Sequence, residues 1–300
     1  MMTRRSNRGR VVIFVFVMVG VLGLRIFPAA EDRAAIVCFL EGKTTILEPG
    51  AKEIRDILLF DWLKPGAVIV ADEAARVVVA FANGERYELR GKAKATVNPK
   101  GFSSVSGTIT KIASAPVMPQ IAALAGEAKP GSRLSGIRLR GAKREITDLY
   151  PGEGSAALAD EAVLSFTPAA GAMKYRVEIE DEWGNNVFSV ETNSPEVVIS
   201  PGVLKPGANY YWTVRTVETN RPSTVSDAVF VTLAADQAKL RNSARDQALR
   251  AKDAAQLLLL SQLEIALGLR RESCATLKEA LALSPQNDGI KKALARPNCK

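Results

Sequence analysis

Residues 63–89, LKPGAVIVADEAARVVVAFANGERYEL, carry two periodicities that decide the first fold assignment. Val77, Val79 and Phe81 fall on one side of an extended chain, and Val78 and Ala80 on the other. Asn83-Gly84 supplies the positive-φ pair of a tight hairpin, after which Tyr87 and Leu89 alternate with Arg86, Glu88 and Arg90. Alternation of period two predicts a hairpin with one buried and one wet face. Upstream, 36–40 and 44–47 are apolar runs separated by Glu41-Gly42-Lys43, a second strand-turn-strand signal. Residues 34–112 therefore read as a small all-β domain with no evident catalytic group.

The rest of the 300-residue chain is segmental. At 47% hydrophobic it has material for two or three ordinary cores. It contains no histidine, which removes imidazole acid/base relays, Ser-His-Asp and Cys-His nucleophile systems and the commonest metal ligand. The expectation is a non-enzyme with no cofactor and no metal site. The net charge of +8 is not one basic surface. Residues 1–30 carry +5, 31–90 carry −3, 91–145 carry +8, 146–233 carry −7 and 234–300 carry +5. The basic stretch 91–145 is interleaved with Gly, Ser and Pro and has one aromatic, Phe102, so it lacks platforms for stacking bases and predicts no nucleic-acid partner.

Arg4, Arg5, Arg8 and Arg10 precede an uncharged run over 11–24, with Val11, Phe14, Phe16 and Leu24 among its apolar residues. A positive flank before an apolar run directs the N-terminus to stay cytoplasmic while the remainder is exported. As a helix the run would span about 21 Å against a hydrocarbon core of about 30 Å. Snorkelling of Arg25 lets Ile26 and Phe27 extend it, and 25–32 offers no clean small-x-small cleavage site. Residues 1–30 are read as a cytoplasmic tip and membrane anchor, with a cleaved signal peptide and a secreted or periplasmic product as the alternative. Cys38 lies too far past the run for lipid attachment and reads as a buried strand cysteine.

The order VCFLEGKTTIL, then 63–89, then KATV resembles the FecR-type extracytoplasmic domain, which implies an all-β fold and no ligand site. In the regulators that name that family, a cytoplasmic segment restrains a sigma factor. Only about ten residues precede the apolar run here, so that activity is not expected to carry over. Residues 113–158, rich in Gly, Pro, Ser and Ala, read as a basic linker with a candidate strand at 137–140.

Residues 159–233 contain Tyr175, Val177 and Ile179 in alternation, and then LKPGANYYWTV, where Tyr210, Trp212 and Val214 share a face. This spacing resembles a fibronectin type III β-sandwich, with Tyr210 at the tyrosine corner and Phe166 where that family usually has Trp. Alternation buries Tyr210 and Trp212 and leaves Trp183 and Tyr211 as candidate surface contacts. Residues 236–298 change to a helical period. LLLLSQLEIALGLRRESCATLKEALALSP resembles one tetratricopeptide repeat, with Ser261 at the helix crossing, Gly268 ending the first helix and Pro285 closing the second. The apolar run 257–260 needs cover from the preceding helix or another chain. Antiparallel return of a third helix over about 287–295 brings Cys299 toward Cys274, so a disulfide is predicted, with two free thiols as the alternative.

The predicted fold class is multidomain and mainly β: a small FecR-like β domain, a fibronectin type III-like sandwich and a terminal helical hairpin. The predicted function is a non-catalytic, envelope-anchored binding and scaffolding protein with extracytoplasmic, periplasmic domains. Its partner would be an envelope protein or a cell-wall polysaccharide. The oligomeric state is left open. Two alternatives are a transmembrane signalling component related to FecR-type regulators, and a cell-wall glycan hydrolase or binding protein using Asp181 and Glu182 beside Trp183.

Overall fold

Val77 to Phe81 are all buried, and both faces of their strand are covered. The computed structural model describes residues 33–127, 146–217, 223–296 and 299. In its first unit β1 (Ala35–Glu41), β2 (Thr44–Leu47), β3 (Ile54–Asp56), β4 (Trp62–Leu63), β5 (Val68–Ala71), β6 (Arg76–Phe81), β7 (Arg86–Asn98) and β8 (Gly101–Ile112) make one sheet. Its order is β3-β2-β5-β7-β6-β1-β4, with β8 beside β7. The long strand β7 pairs β6 through residues 86–90 and β5 through 93–96. Between these stretches the ribbon bends. Gly91 has φ +63°, and at Gly107 a Cβ would stand 2.3 Å from the Lys92 carbonyl oxygen, so both positions require glycine.

Val77, Val79 and Phe81 join Ile46, Leu63, Ile69 and Leu89 in the unit's own core. Val78 and Ala80, with Ile36, Cys38 and Phe39, belong to a second core that is shared with helices. The expected wet face is therefore a covered one, and the hairpin reading is corrected there. Even Arg86 and Glu88 are buried, at 3% and 7% exposure. A strand buried on both faces reads as a continuous apolar run, which is what residues 77–81 are.

The stretch 113–158 is not simply a linker. α1 (Met118–Glu127) follows β8 and lays Met118 and Ile121 into the shared core beside Val117, which precedes it, with Pro119 in its first turn, where a missing N–H costs nothing. The candidate strand at 137–140 lies outside the described residues. β9 (Thr147–Tyr150) and β10 (Ala156–Ala157) belong to the next unit. The sandwich thus begins near Ile146 and not at 159, because two short edge strands were hidden among Gly and Pro.

That unit continues with β11 (Val163–Thr167), β12 (Tyr175–Asp181), β13 (Asn186–Thr192), β14 (Glu196–Val198), β15 (Asn209–Thr216) and β16 (Val225–Thr232). A sheet of order β10-β16-β15-β12-β13 packs on one of order β14-β11-β9. This is the arrangement of a fibronectin type III-like β-sandwich. Trp212, fully buried, donates its indole N–H to the Pro151 carbonyl at 2.8 Å. The Tyr210 hydroxyl accepts the Lys205 backbone N–H at 2.7 Å, closing a tyrosine corner. Phe166 fills the core edge-on to Tyr175, with ring centroids 4.8 Å apart.

α2 (Ala235–Ala251), α3 (Ala254–Ala266), α4 (Arg270–Leu283) and α5 (Asp288–Leu294) complete the chain. α2 stops at Lys252, which turns left-handed (φ +48°), and Asp253 caps α3 by accepting the Ala255 N–H at 3.1 Å. α3 is buried almost all round, as a helix without a polar face must be. Leu257, Leu258, Leu259 and Leu260 pack with Ile36, Phe39 and Val78 of the sheet as well as with the neighbouring helices. The run expected to need a preceding helix or another chain is also covered by this chain's own β-sheet. Each fully buried leucine contributes roughly 1.5–3 kcal/mol of transfer free energy.

The helical block also holds the sandwich. The Ala156 N–H donates to the Gly268 carbonyl at 3.0 Å, and a Cβ on Gly268 (φ +81°) would meet the Ala156 nitrogen at 3.1 Å. The Tyr150 hydroxyl donates to Glu272 at 3.0 Å and accepts the Arg271 N–H at 3.3 Å. On the other side, Asn287 donates its amide to the Leu40 carbonyl of β1 at 2.9 Å. The helices are the joint between the two β units.

Candidate binding surface

The β12–β13 hairpin presents Trp183 at its tip, 73% exposed. The tip is held from inside by one carboxylate. Asp181 Oδ1 accepts the backbone N–H groups of Trp183 (3.0 Å) and Asn185 (2.8 Å), and Oδ2 accepts the Asn185 side-chain amide (3.0 Å). Gly184 follows Trp183 at φ +80°, where a side chain would be strained. The Asn185 side-chain amide, with the two backbone N–H bonds and nearby Lys205 adding to it, holds the Asp181 carboxyl below its usual range. It is ionised at neutral pH, the wrong state for a general acid.

Beside Trp183 lies a cavity of about 80 Å³ lined by Glu182, Lys205, Asn209 and Tyr210, among others. Tyr210 is spent on its corner bond. The side chains of Glu182, Lys205 and Asn209 make no hydrogen bond among the described residues. Tyr211 is 41% exposed on the outer sheet face, across from Glu180 and Val229, and does not line this cavity. The structure thus places the two candidate contacts apart. Lys205 and Asn209 went unnoticed in the sequence because they meet Trp183 only when the β15 strand and the loop before it close beside the β12–β13 turn. The tyrosine-corner spacing was their one indirect signal.

Cys274 and Cys299 form a disulfide with Cα atoms 5.4 Å apart, and Cys299 packs against the shared core. Cys38 is free and fully buried, and burial pushes its thiol up to about 12. The buried charges are spent on structure. Arg86 donates to the Ala113 carbonyl at 2.7 Å and faces Asp253 at 3.5 Å. Gln256, with its amide oxygen toward the guanidinium, adds one acceptor shared by the two terminal nitrogens at 3.2 and 3.3 Å. Arg241 pairs with Glu264 at 2.9 Å, and the Thr276 hydroxyl donates to the second Glu264 oxygen at 2.7 Å.

Val11, Phe14, Phe16 and Leu24 lie outside the described residues, among which no helix is long and apolar enough to cross a membrane. Among the described residues no group of three or more His, Cys, Asp or Glu could hold a metal ion.

No protein-family profile matches the chain, and no curated protein matches it. Solved structures that resemble it include the fibronectin type III domain of human collagen alpha-1(XX), at 20% identity over 33% of this chain and 95% of that one, TM-score 0.26. CopC from Methylosinus trichosporium OB3b is 16% identical over 31% of this chain and 95% of its own, TM-score 0.24. A two-domain fibronectin type III segment of chicken tenascin is 16% identical over 68% and 87%, TM-score 0.23. With TM-scores this low, the sandwich assignment rests on the chain's own strand order and tyrosine corner.

Proposed function

We propose that the chain is a non-catalytic binding and scaffolding protein of the cell envelope, held to the membrane through 11–24 with its folded part outside the cytoplasm. In this reading the first β unit is a FecR-like domain and α3–α4 a tetratricopeptide-like hairpin used as an internal strut. One observation carries the reading: a core shared by β1 and β6 of the first unit, Ala156, Leu158 and Leu233 of the sandwich, and helices α1 to α5 joins both β units into one body. A rigid body holds surfaces at fixed spacing, which is what a scaffold requires. The buried ionic groups support it, since Arg86–Asp253 and Arg241–Glu264 lock elements together across that core. The Cys274–Cys299 disulfide favours an oxidising location. The partner is an envelope protein or a cell-wall polysaccharide.

The test is cell fractionation, then capture of partners by the full-length chain from solubilised membranes, beside a turnover screen on cell-wall glycans. The expected result is membrane-bound protein that retains an envelope partner and releases no product. Sustained product release, or recovery from the cytoplasm with Cys274 and Cys299 as free thiols, overturns the reading.

A further inference from the structure

The hairpin tip combines a pinned backbone with an exposed indole. Three hydrogen bonds to Asp181 immobilise a four-residue tip whose single large side chain, Trp183, is turned out to water. Trp62 is partly covered and Trp212 is fully buried, so Trp183 is the exposed indole among the described residues. A lone exposed aromatic is ordinary. One that is held rigid beside a cavity edged by three polar side chains that make no hydrogen bond among the described residues is a prepared surface.

We propose that this tip binds a neutral glycan, with one sugar ring lying flat on Trp183 and its hydroxyls directed toward Glu182, Lys205 and Asn209. The indole face offers an apolar, electron-rich plane to the C–H groups of a pyranose. Glu182 accepts from hydroxyls, the Lys205 ammonium donates to them, and the Asn209 amide does both. The other ligand classes fit less well. Asp181 and Glu182 put negative charge at the tip, which disfavours phosphates, uronates and nucleic acids. Lys205 opposes a cation. A proline-rich peptide needs successive aromatic ridges, and Tyr211 stands on a different surface. The cavity of about 80 Å³ is far below the roughly 300–1,000 Å³ of enclosing small-molecule sites, so the ligand lies across the tip as a chain does.

The inference deepens the binding reading above and rests on it only for where such a glycan is met. The test titrates the full-length protein in mild detergent with cellohexaose, chitohexaose and laminarihexaose, reading tryptophan fluorescence and calorimetry, with an oligogalacturonate as the charged control. We expect saturable binding of at least one neutral hexasaccharide. Trp183→Ala should weaken it at least tenfold with an unchanged melting temperature, Trp183→Phe should restore part of it, and the galacturonate should not bind. No saturable binding by the wild type, or equal binding by Trp183→Ala, overturns the proposal. A chain that captures an envelope protein but no glycan refutes this inference alone. Glycan binding through Trp183 by a chain that fractionates with the cytoplasm refutes only the envelope reading.

Discussion

Arg86 is 3% exposed, and its charge is balanced by Asp253, which also caps α3. Asp253→Ala removes both roles at once and should destabilise the protein by roughly 2–4 kcal/mol, less than a fully buried pair because Asp253 keeps some solvent. Asp253→Asn should recover about 1 kcal/mol of that by restoring the cap without the charge. Urea unfolding of the three proteins separates the two contributions. Aromatic positions in the sandwich divide more sharply. Tyr210→Ala and Trp212→Ala each empty a buried site and should cost about 3–5 kcal/mol, whereas Trp183→Ala at the exposed tip should cost less than about 0.5 kcal/mol. Asp181 adds a pH dependence of definite sign. Its folded pKa lies below that of an ordinary aspartate, so its contribution is present above the ordinary value and is lost as pH falls through the depressed one. The Trp183 and Asn185 amide resonances should be constant from pH 8 to pH 5 and move only in stronger acid; a transition near neutrality would contradict the clamp.

At the scale of elements, the C-terminal helices depend on a short return and a covalent tie. α4 ends at Leu283 with Ser284 as its C-cap, and Asn287 caps α5 by accepting the Ile290 N–H at 3.0 Å. The same side chain donates to the Leu40 carbonyl, so this one residue positions α5 against β1. The Cys274–Cys299 bridge closes a separation of 25 residues, worth about 3–4 kcal/mol in the chain-entropy view. Peptide mapping without reductant should recover these two cysteines as one linked pair and Cys38 as a free thiol. Reduction should lower stability by about that amount. Two alkylatable thiols at 274 and 299 in native protein would refute the tie. The helix limits were largely readable, because Gly268, Pro285 and the apolar period mark them locally. β9 and β10 were not readable, because two-to-four-residue strands among Gly and Pro carry no period of their own.

For the whole molecule, the shared core implies coupled folding. Ile36, Cys38, Phe39, Val78 and Ala80 form an apolar sheet face that lies in one core with residues of the C-terminal helices. A chain ending after Leu233 should lose the cooperative melting of its first β unit and aggregate, even though every strand of that unit is retained. The intact protein should melt in one transition. Two well-separated transitions in calorimetry, or a stable monomeric fragment lacking 234–300, would show that the units stand alone.

What the sequence determined by itself is what is local. Alternation at 175–179 and 210–214, the Asn83-Gly84 turn and the helical period after 236 set element types, and the absence of histidine narrowed the chemistry. The tyrosine corner was legible because its residues lie within a few positions of each other. Tertiary structure alone decided that residues 78, 80, 86 and 88 are inside, that 257–260 meet a β-sheet, and that Lys205 and Asn209 stand beside Trp183. The reason is physical. Periodicity records which residues share a face, but the sign of burial on the second face depends on whether a distant segment arrives to displace water from it. In this chain that segment is a helix about 170 residues away along the chain, as the Arg86–Asp253 separation of 167 records.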